Sequence, residues 1–560
     1  MGFLLFLLLA YLVLSYGLSL VFAKAHRESA AAASPTLAAT VSARDGWIPG
    51  VNFAKWATLV GRGPAYALWL LVPIVNVFVF AGLAVDTARS FGRYGFLDAA
   101  AAVVAAPLYL IWLARSGEAY YEGPVLIKEA AYAHDLGEAR RRGEKRKYER
   151  LLAESPFRKT PTREWAEAIV FAVSAAWLIR LFVFEMFVIP TSSMEGSMLV
   201  GDYLLVSKAH YGIRTPRTVA MVPLLHNRLP FDAGESYWEW PSLEMRRLPA
   251  LEPIDRNDPI VFNYPLGDSV YVLPGRTWSA EDVRLGRIYP QHVPYFQRGL
   301  AELVTRPVDK KDHYVKRAVA VPGDTLEIRD GDLYLNGERA VDPPRIQFSY
   351  RVTKPPGTRL DLGRLADWGI SREDLLSLGQ GATDLSGPTL QMVLSAEQIG
   401  ELQAAYPGLT VERVIAPRDT TGRSFGLFPN DPANFPGWTR DNFGPIVLPR
   451  AGATVEIGPR NIALYRRIIS VYEGHDLRET PGGILIDGRP ARAYTFEQDY
   501  YWGMGDNRHM SEDSRYWGFI PRDHIVGKPL FIWFSTKGAS IANGVRWERI
   551  FTGATQMEVD

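Results

Sequence analysis

The sequence contains no cysteine, which excludes disulfide bonds, thiolate metal sites and a cysteine nucleophile. It also lacks an excess of charge of either sign, because 62 basic residues balance 61 acidic ones, for a formal net charge of +1. Without a positive surplus, nucleic acid is not expected as a partner. The nine histidines are scattered without the spacing of metal ligands, and no metal or organic cofactor is expected. A nucleophile, if the chain has one, is therefore oxygen or nitrogen.

Charge is also missing from several long apolar runs, which predict membrane spans. The first run, 3–23, holds about 20 uncharged residues, enough to cross a membrane. Basic residues follow this run instead of preceding it, so we expect a retained anchor, with a cleaved signal peptide as the alternative. Two more runs, 65–86 and 96–114, predict a helical hairpin in the bilayer, with a globular helical pair as the alternative.

A fourth apolar run, 166–190, predicts the last span. Arg180 and Glu185 lie near its end, where long side chains are expected to reach the interface. A basic stretch, 139–163, precedes it, and basic residues also follow the first run. Lys and Arg concentrate in cytoplasmic loops, so we expect both loops in the cytoplasm and everything after Pro190 on the opposite side of the membrane.

From residue 200 onward, short β-type runs separated by Gly, Pro and Asn predict a mostly antiparallel β domain. The clearest runs are DYLLVSK, PIVFNY, HYVKRAVAV, TLEIRDGDLYLNGE, GGILIDGRPA and LFIWFS. Three dipeptides tolerate the positive φ of hairpin turns: Asp330-Gly331, Asn336-Gly337 and Asp487-Gly488. Residues 341–480 hold few clean strands, two helical patches (372–380 and 396–405) and Pro-rich stretches, so we expect an inserted, loop-rich elaboration.

Three polar stretches carry candidate chemistry, and the first two are a serine cluster and a strand lysine. IPTSSM, at 189–194, presents hydroxyls after an apolar run, although such a cluster alone is more often a cap or a loop. A serine nucleophile needs a base, and Lys316 is a candidate because on a strand it shares a face with Tyr314 and two alanines. Desolvation there would lower a lysine pKa from about 10.4 towards about 7–8. A lysine that protects a strand edge from aggregation is the alternative.

The third polar stretch, GMGDNRHMSEDSRYWGFIP at 503–521, is dense in groups that form charge-assisted pairs. It is either only a polar turn or a loop that orients the lysine. In the second case Ser511 would hydrogen-bond the amine, and an Asp–Arg pair would brace the loop.

In order, IPTSSM, GDYLLVSK, HYVKRAVAVPGD and GDNRHMSEDSRYWGFIP resemble the boxes of the type I signal (leader) peptidases. The resemblance covers roughly 186–216, 255–265, 312–340 and 484–535. The added N-terminal spans and DNFGPIVLPRAGATVEI are similar to the long forms of Bacteroidota-type bacteria. The resemblance implies a membrane-bound serine endopeptidase that cleaves signal peptides from exported preproteins. Its expected partners are those preproteins and membrane lipid.

The implied fold is a membrane-anchored, mainly β protein of the signal-peptidase and self-cleaving-repressor type. Its catalytic β domain would lie on the periplasmic side of the bacterial inner membrane. In the predicted organisation, the N-terminal part has three transmembrane helices with a cytoplasmic loop (1–115), a basic cytoplasmic linker (116–165) and the fourth transmembrane helix (166–189). The catalytic domain follows in two parts (190–340 and 481–560), which are separated by the insert (341–480).

The resemblance also implies roles for individual residues. They are Ser193 as nucleophile, Lys316 as general base, Thr191 in the oxyanion hole beside the nucleophile's backbone N–H, Ser511 as the residue that orients the lysine, and Asp513 with Arg515 as the bracing pair. Ser192 stands where relatives often carry glycine and is a competing hydroxyl. Ser193 keeps the role by its place before Met194 and two residues after Thr191.

The substrate is expected to add an extended strand beside the backbones of 187–191 and 313–317. The side chains expected to wall its pockets are Val188, Ile189, Met194 and Val315. These pockets would leave space only for small side chains, which predicts cleavage after an A-x-A pattern, as the resemblance also implies.

Other functions fit the sequence less well. GRSFG at 422–426 matches a hydrolase elbow, but Ser424 lacks the strand before it and the helix after it. A penicillin-binding pattern needs a lysine three residues after the serine, which Ser193 lacks. A self-cleaving repressor would need a DNA-binding domain and no spans. A non-catalytic envelope β-domain scaffold or binding protein is the alternative that stays open.

Overall fold

A computed structural model describes residues 2–31, 41–230, 234–273, 276–284, 286, 288, 290–370, 387–418 and 426–554. The chain divides into two compact units, Met1–Ala175 and Ala176–Asp560. The predicted helical patch 372–380 and the residue Ser424 of the GRSFG stretch lie outside the described residues.

The first unit is helical. Its helices are α1 Gly2–Ala31, α2 Val51–Leu59, α3 Val75–Ser90, α4 Phe96–Val104, α5 Ala106–Arg115, α6 Val125–Arg141 and α7 Lys145–Glu154, and α8 Pro161–Phe182 begins here. The apolar core forms where α1 packs against α5, and it buries Leu18, Phe22, Trp56 and Leu83 completely. The basic stretch after residue 139 forms the end of α6 and the start of α7, mostly exposed to solvent, as a charge run predicts.

Two helices in the described part of the chain are long and apolar enough to cross a membrane. They are Leu8–Ala30, within α1, and Pro161–Phe182, which is α8. Length and composition alone support these two spans, so the prediction of four spans is not confirmed. It stays a prediction for the runs 65–86 and 96–114.

Prolines break both of those runs into shorter helices. In the first run, a 3₁₀ segment gives way to α3 at Val72, which is extended because Pro73 disfavours helical geometry in the residue before it. In the second run, α4 and α5 meet at Ala105, where Pro107 removes a backbone donor that a continuous helix would need. Apolar composition therefore predicted the helices but not their interruptions.

The second unit is mainly antiparallel β. Its strands are β1 Phe184–Val188, β2 Asp202–Ser207, β3 Pro259–Asn263, β4 Ser269–Leu273, β5 Arg276–Ser279, β6 Glu302–Thr305, β7 His313–Ala320, β8 Thr325–Arg329, β9 Asp332–Leu335, β10 Glu338–Arg339, β11 Phe348–Thr353, β12 Thr389–Leu394, β13 Thr410–Arg413, β14 Phe443–Val447, β15 Thr454–Glu456, β16 Leu477–Thr480, β17 Gly483–Ile486, β18 Arg489–Pro490, β19 Ala493–Thr495, β20 Tyr500–Met504, β21 Ile520–Pro521 and β22 Ile525–Ser535. Short helices are α9 Ala280–Arg284, α10 Val293–Gln297, α11 Leu362–Asp367, α12 Ala396–Ala405, α13 Ile462–Arg467 and α14 Ser514–Trp517.

The largest sheet among the described residues has the strand order β1-β2-β22-β3-β7-β20-β21. Each of the six predicted β runs forms a strand or a hairpin of this unit. Asp330, Asn336 and Asp487 have φ of 49°, 55° and 49°. The glycine after each of them also has a positive φ, as hairpin turns of this kind require. Composition and turn chemistry thus predicted the β fold correctly.

The predicted fourth span is too long at its C-terminal end. Helix α8 ends at Phe182, and the apolar residues after it form β1, whose Val188 pairs with Tyr203 of β2. Aromatic and β-branched residues favour an extended strand at this point. Glu185 does not extend to an interface, because it is buried in β1 and pairs with Lys208 at 2.7 Å.

The segment 341–480 contains more regular structure than expected. Strands β11, β12 and β13 form a sheet with its own apolar core, and α12 confirms the predicted helix at 396–405. Strand β14 pairs with β8, and β15 pairs with β19, so parts of the segment belong to sheets of the flanking regions. The boundary at residue 340 therefore does not mark a separable insert.

Candidate active site

Ser193 and Lys316 meet at hydrogen-bond distance although 123 positions separate them. Ser193 lies in a short 3₁₀ turn, Ser192–Met194, directly after β1, and Lys316 lies on β7. The Lys316 Nζ atom is 2.7 Å from Ser193 Oγ and 2.9 Å from the carbonyl oxygen of Val315. The two sequence-predicted residues are thus brought together in the geometry of a nucleophile and its base.

Lys316 is desolvated, as its strand neighbours predicted. Only 3% of the residue is exposed, the ring of Tyr314 lies 5.9 Å from the ammonium, and Gly503 packs against its side chain. Burial lowers the pKa of Lys316 from 10.5 to about 8, while the nearby carboxylates Asp513 and Asp506 partly oppose this shift. A lysine with this pKa is neutral in a substantial fraction of molecules near pH 8 and can accept a proton.

The other hydroxyls of IPTSSM lie on the same side of the site. Thr191 Oγ1 is 3.4 Å from Ser193 Oγ, and either hydroxyl can donate in that bond. Ser192 borders the same groove but has no bond to Lys316 among those of the described residues. Lys316 is therefore bonded to Ser193 and not to its neighbour Ser192, and the Thr191 hydroxyl lies within hydrogen-bond distance of the Ser193 hydroxyl.

Ser511 lies beside the pair without bonding to the lysine. Its hydroxyl is buried and has no hydrogen-bond partner in the described part of the chain. Gly505 separates it from the nucleophile turn, since a Cβ there would lie 2.2 Å from Ser511 Oγ and 2.4 Å from the carbonyl oxygen of Ser193. Only glycine allows this close approach, a requirement that the sequence reasoning missed. The Asn507 N–H donates to the same carbonyl at 3.3 Å and fixes the turn to this loop.

Two buried ion pairs hold the loop 505–515. The predicted one is formed: Arg515 donates to both oxygens of Asp513 at 2.8 Å. The second, between Arg317 and Asp506 at 2.7 Å, was not predicted, although both residues stand in the quoted motifs. Removing one partner of such a buried pair typically costs about 3–5 kcal/mol, so both pairs make the loop rigid.

The segment 341–480 also contacts this loop, through a buried histidine. The Nδ1 atom of His509 accepts from the backbone N–H of Ser349, so its Nε2 carries the proton and donates to Asp441 at 2.8 Å. Burial lowers the pKa of His509, more than the carboxylate of Asp441 raises it, and the ring is neutral near pH 7. Asp441 also accepts from the N–H of Ala416 within the same segment, so the bonds of His509 to Ser349 and Asp441 are the ones that join the segment to the loop.

A groove passes over Ser193 and Lys316, and all four predicted pocket residues line it. Ile189 and Met194 are buried and form its floor, while Val188 and Val315 are partly exposed. Strand β1 is at the edge of the sheet, and the pairing of β7 with β20 begins only at Arg317. Backbone edges on both sides of the groove are therefore open to an extended peptide within the described residues.

The fold and the site define a class of protein: a mainly antiparallel β fold that holds a serine hydroxyl at hydrogen-bond distance from a buried lysine, an arrangement suited to a serine hydrolase. Comparison with known families supports this class. Residues 162–355 and 486–534 match the family model described as Signal peptidase, peptidase S26. Residues 45–124 match a family of unknown function, DUF5684.

Several curated relatives carry the name Signal peptidase I. The one from Haemophilus influenzae is 25% identical over 422 residues, which cover 73% of this chain and 82% of that protein. The one from Aquifex aeolicus is 48% identical over 48 residues, 9% of this chain and 19% of that protein. The one from Rickettsia canadensis is 24% identical over 181 residues, 32% of this chain and 45% of that protein. Over these matched segments the chain is similar to the signal peptidase family, peptidase S26.

Proposed function

We propose that this protein is a membrane-bound signal peptidase that cleaves N-terminal signal peptides from exported preproteins with Ser193 and Lys316. The observation that carries the proposal is the 2.7 Å contact between the Lys316 amine and the Ser193 hydroxyl in a desolvated site. A serine hydroxyl is a weak nucleophile alone, and a neutral amine at this distance can remove its proton as it attacks.

In the first half of the reaction, the Ser193 oxygen attacks the scissile carbonyl carbon, and its proton passes to the neutral Lys316 amine. The resulting oxyanion accepts hydrogen bonds from the Thr191 hydroxyl and from the backbone N–H of Ser193. Lys316, now an ammonium, gives its proton to the leaving amine, and the peptide bond breaks. In the second half, Lys316 takes a proton from a water molecule that attacks the ester carbonyl, and returns it to Ser193.

The groove supports a substrate that binds as an added strand. An extended peptide between β1 and the first half of β7 would pair with both backbones and bury alternate side chains. Ile189 and Met194 close the floor beneath those side chains, so the pockets admit only small ones. This favours cleavage after residues such as alanine at the first and third positions before the bond.

The site lies close to the end of α8, a helix with the length and composition of a membrane span. Ser193 follows Phe182 by eleven positions, so a substrate would present its bond near the membrane surface. We place the β domain on the extracytoplasmic side of the inner membrane and the basic stretch 139–163 in the cytoplasm, on the basis of the Lys and Arg distribution.

The experiment that tests this function uses the purified full chain in detergent with a preprotein. We expect release of the mature protein by the wild type and none by Ser193→Ala. Ser192→Ala is the matched control, because it removes a neighbouring hydroxyl that does not contact Lys316, and it should keep most of the activity. Full activity in Ser193→Ala would instead favour a non-catalytic scaffold or binding role for the chain, with a contaminating protease as the source of cleavage.

A further inference from the structure

A second, small cavity of about 70 Å³ lies in the β unit, at the end of α8 and away from Ser193. Trp177 and Arg180, from the last turns of α8, form one side. The charged and imidazole side chains that line the cavity are Arg180, Glu185, Lys208, Arg214, His226, Asp309, Lys310 and His313. None of them belongs to the groove of the active site except His313, which borders both.

Positive charge exceeds negative charge in this cavity. Four cationic side chains face it against two carboxylates, a surplus of two positive charges. One carboxylate, Glu185, already bonds Lys208 at 2.7 Å and Arg180 at 2.9 Å, and the other, Asp309, is occupied by the backbone and hydroxyl of Thr218. The pKa of Glu185 lies below its usual range because these cations outweigh the effect of its burial. The carboxylates therefore do not neutralise the site.

Lys310 is the cation of this cavity with the weakest partners, because besides a sulfur atom its ammonium faces only the ring of Tyr237, 5.4 Å from the ring centroid. Only 2% of the residue is exposed, and its ammonium donates to the thioether sulfur of Met221 at 3.3 Å, a weak acceptor. It has no carboxylate within ion-pair distance among the residues that the structure describes. A buried ammonium normally has a charged or strongly polar partner, because its desolvation is costly. The buried ammonium of Lys310 is therefore a donor that an anion would satisfy better than the thioether does.

We propose that this cavity binds an anionic phosphate group at the end of α8. Arg180 and Arg214 supply the guanidinium groups that recognise phosphate oxygens, and Lys208 and Lys310 add ammonium donors. Two sources carry this chemistry, a lipid headgroup and free phosphate. The position favours the lipid, since Trp177 and Arg180 are residue types that mark the end of a span at the membrane surface.

The test measures binding to the detergent-purified full chain in its Ser193→Ala form, so that the outcome does not depend on cleavage. Native mass spectrometry counts bound phosphatidylglycerol against phosphatidylcholine, and calorimetry measures inorganic phosphate. We expect tighter binding of the anionic lipid, and Lys310→Met should weaken it about tenfold, or about 1.4 kcal/mol. Arg180→Gln should also weaken binding of the anionic lipid. The Arg180 side chain is 30% exposed, so we expect the fold to tolerate this change.

The matched control is Lys311→Met. Lys311 is equally buried and adjacent, but it lies near Asp268 and His524 and does not line this cavity. If lipid binding depends on Lys310 and inorganic phosphate does not displace the lipid, the cavity is a site for a lipid headgroup. If inorganic phosphate displaces the lipid, the cavity is a site for the free ion. The proposal would be overturned if the wild type, Lys310→Met and Arg180→Gln bound the anionic lipid equally well. It would also be overturned if the protein showed no preference for the anionic lipid and did not bind phosphate.

Discussion

At the scale of single residues, the proposal that Lys316 is the base predicts how activity depends on pH. Its pKa of about 8 reflects burial, so the neutral amine becomes abundant only as the pH approaches that value. We expect kcat/KM to rise about tenfold per pH unit below this pKa and to level off above it, as for a base that must lose its proton. A pH profile of preprotein cleavage measures this, and a profile flat from pH 6 to 9 would contradict the assigned base.

Substitution of the same residue gives a second expectation. Lys316→Met keeps the size of the side chain but removes the base, and Lys316→Arg keeps a charge that cannot be lost near neutral pH. Both should lower kcat/KM by at least about a hundredfold, the usual contribution of a general base. Thermal unfolding of each variant serves as the control for folding. Substantial activity in Lys316→Arg would exclude the serine–lysine mechanism.

At the scale of elements, the loop 505–515 depends on a residue outside the segments that match the S26 family model. Asp441→Ala would leave the Nε2–H of His509 and the N–H of Ala416 without an acceptor, a cost of about 1–3 kcal/mol for each buried group. We expect kcat to fall more than KM rises, because β1 and β7 supply the strand edges of the groove, while the loop adds only part of its lining, from His509 to Glu512. Steady-state kinetics separate the two parameters.

The control for this prediction is Glu479→Ala, which removes an exposed ion pair with Arg466 in the same segment. Exposed pairs contribute about 0–1 kcal/mol, so this variant should behave as the wild type. If Asp441→Ala also behaves as the wild type, the segment 341–480 does not hold the catalytic loop.

The two open strand edges lead to a prediction about substrate choice. A preprotein with Phe or Leu immediately before the scissile bond would have to place a large side chain against Ile189 and Met194. Both residues are buried, with at most 3% of their surface exposed. We expect kcat/KM at least about a hundredfold lower than for Ala, since a packed pocket cannot expand. Competition between the two preproteins in one reaction measures the ratio, and efficient cleavage after Phe would show that these residues do not form the pocket.

The sequence predicted those elements that local rules control, and it missed those that depend on distant partners. The hairpin at Asp330-Gly331 and the strand of Lys316 follow from turn chemistry and alternation alone. The apolar pattern predicts the end of a helix where β1 lies, because these residues fit both a helix and a strand, and only the pairing with β2 distinguishes the two. The bond between His509 and Asp441 joins residues 68 positions apart, and no local pattern indicates it.

At the scale of the whole molecule, the distribution of basic residues predicts a topology. If the stretch 139–163 is cytoplasmic, protease added to intact spheroplasts should digest the region after residue 200 and spare that stretch. In inside-out vesicles the pattern should reverse. Immunoblots against tags placed in each region report the outcome, with detergent-treated samples as the control for protease activity. Digestion of both regions from the same side would contradict the predicted orientation.

The place of β22 in the sheet has a consequence for biosynthesis. This strand, Ile525–Ser535, lies between β2, which follows the nucleophile turn, and β3, which pairs with the strand of the base. The two halves of the dyad are therefore joined through a strand that the ribosome makes more than 200 residues after Lys316. Until that strand has been synthesised, Ser193 and Lys316 have no common sheet to align them. If the two residues form the proposed dyad, the nascent chain is therefore inactive until β22 has been made and has paired with β2 and β3.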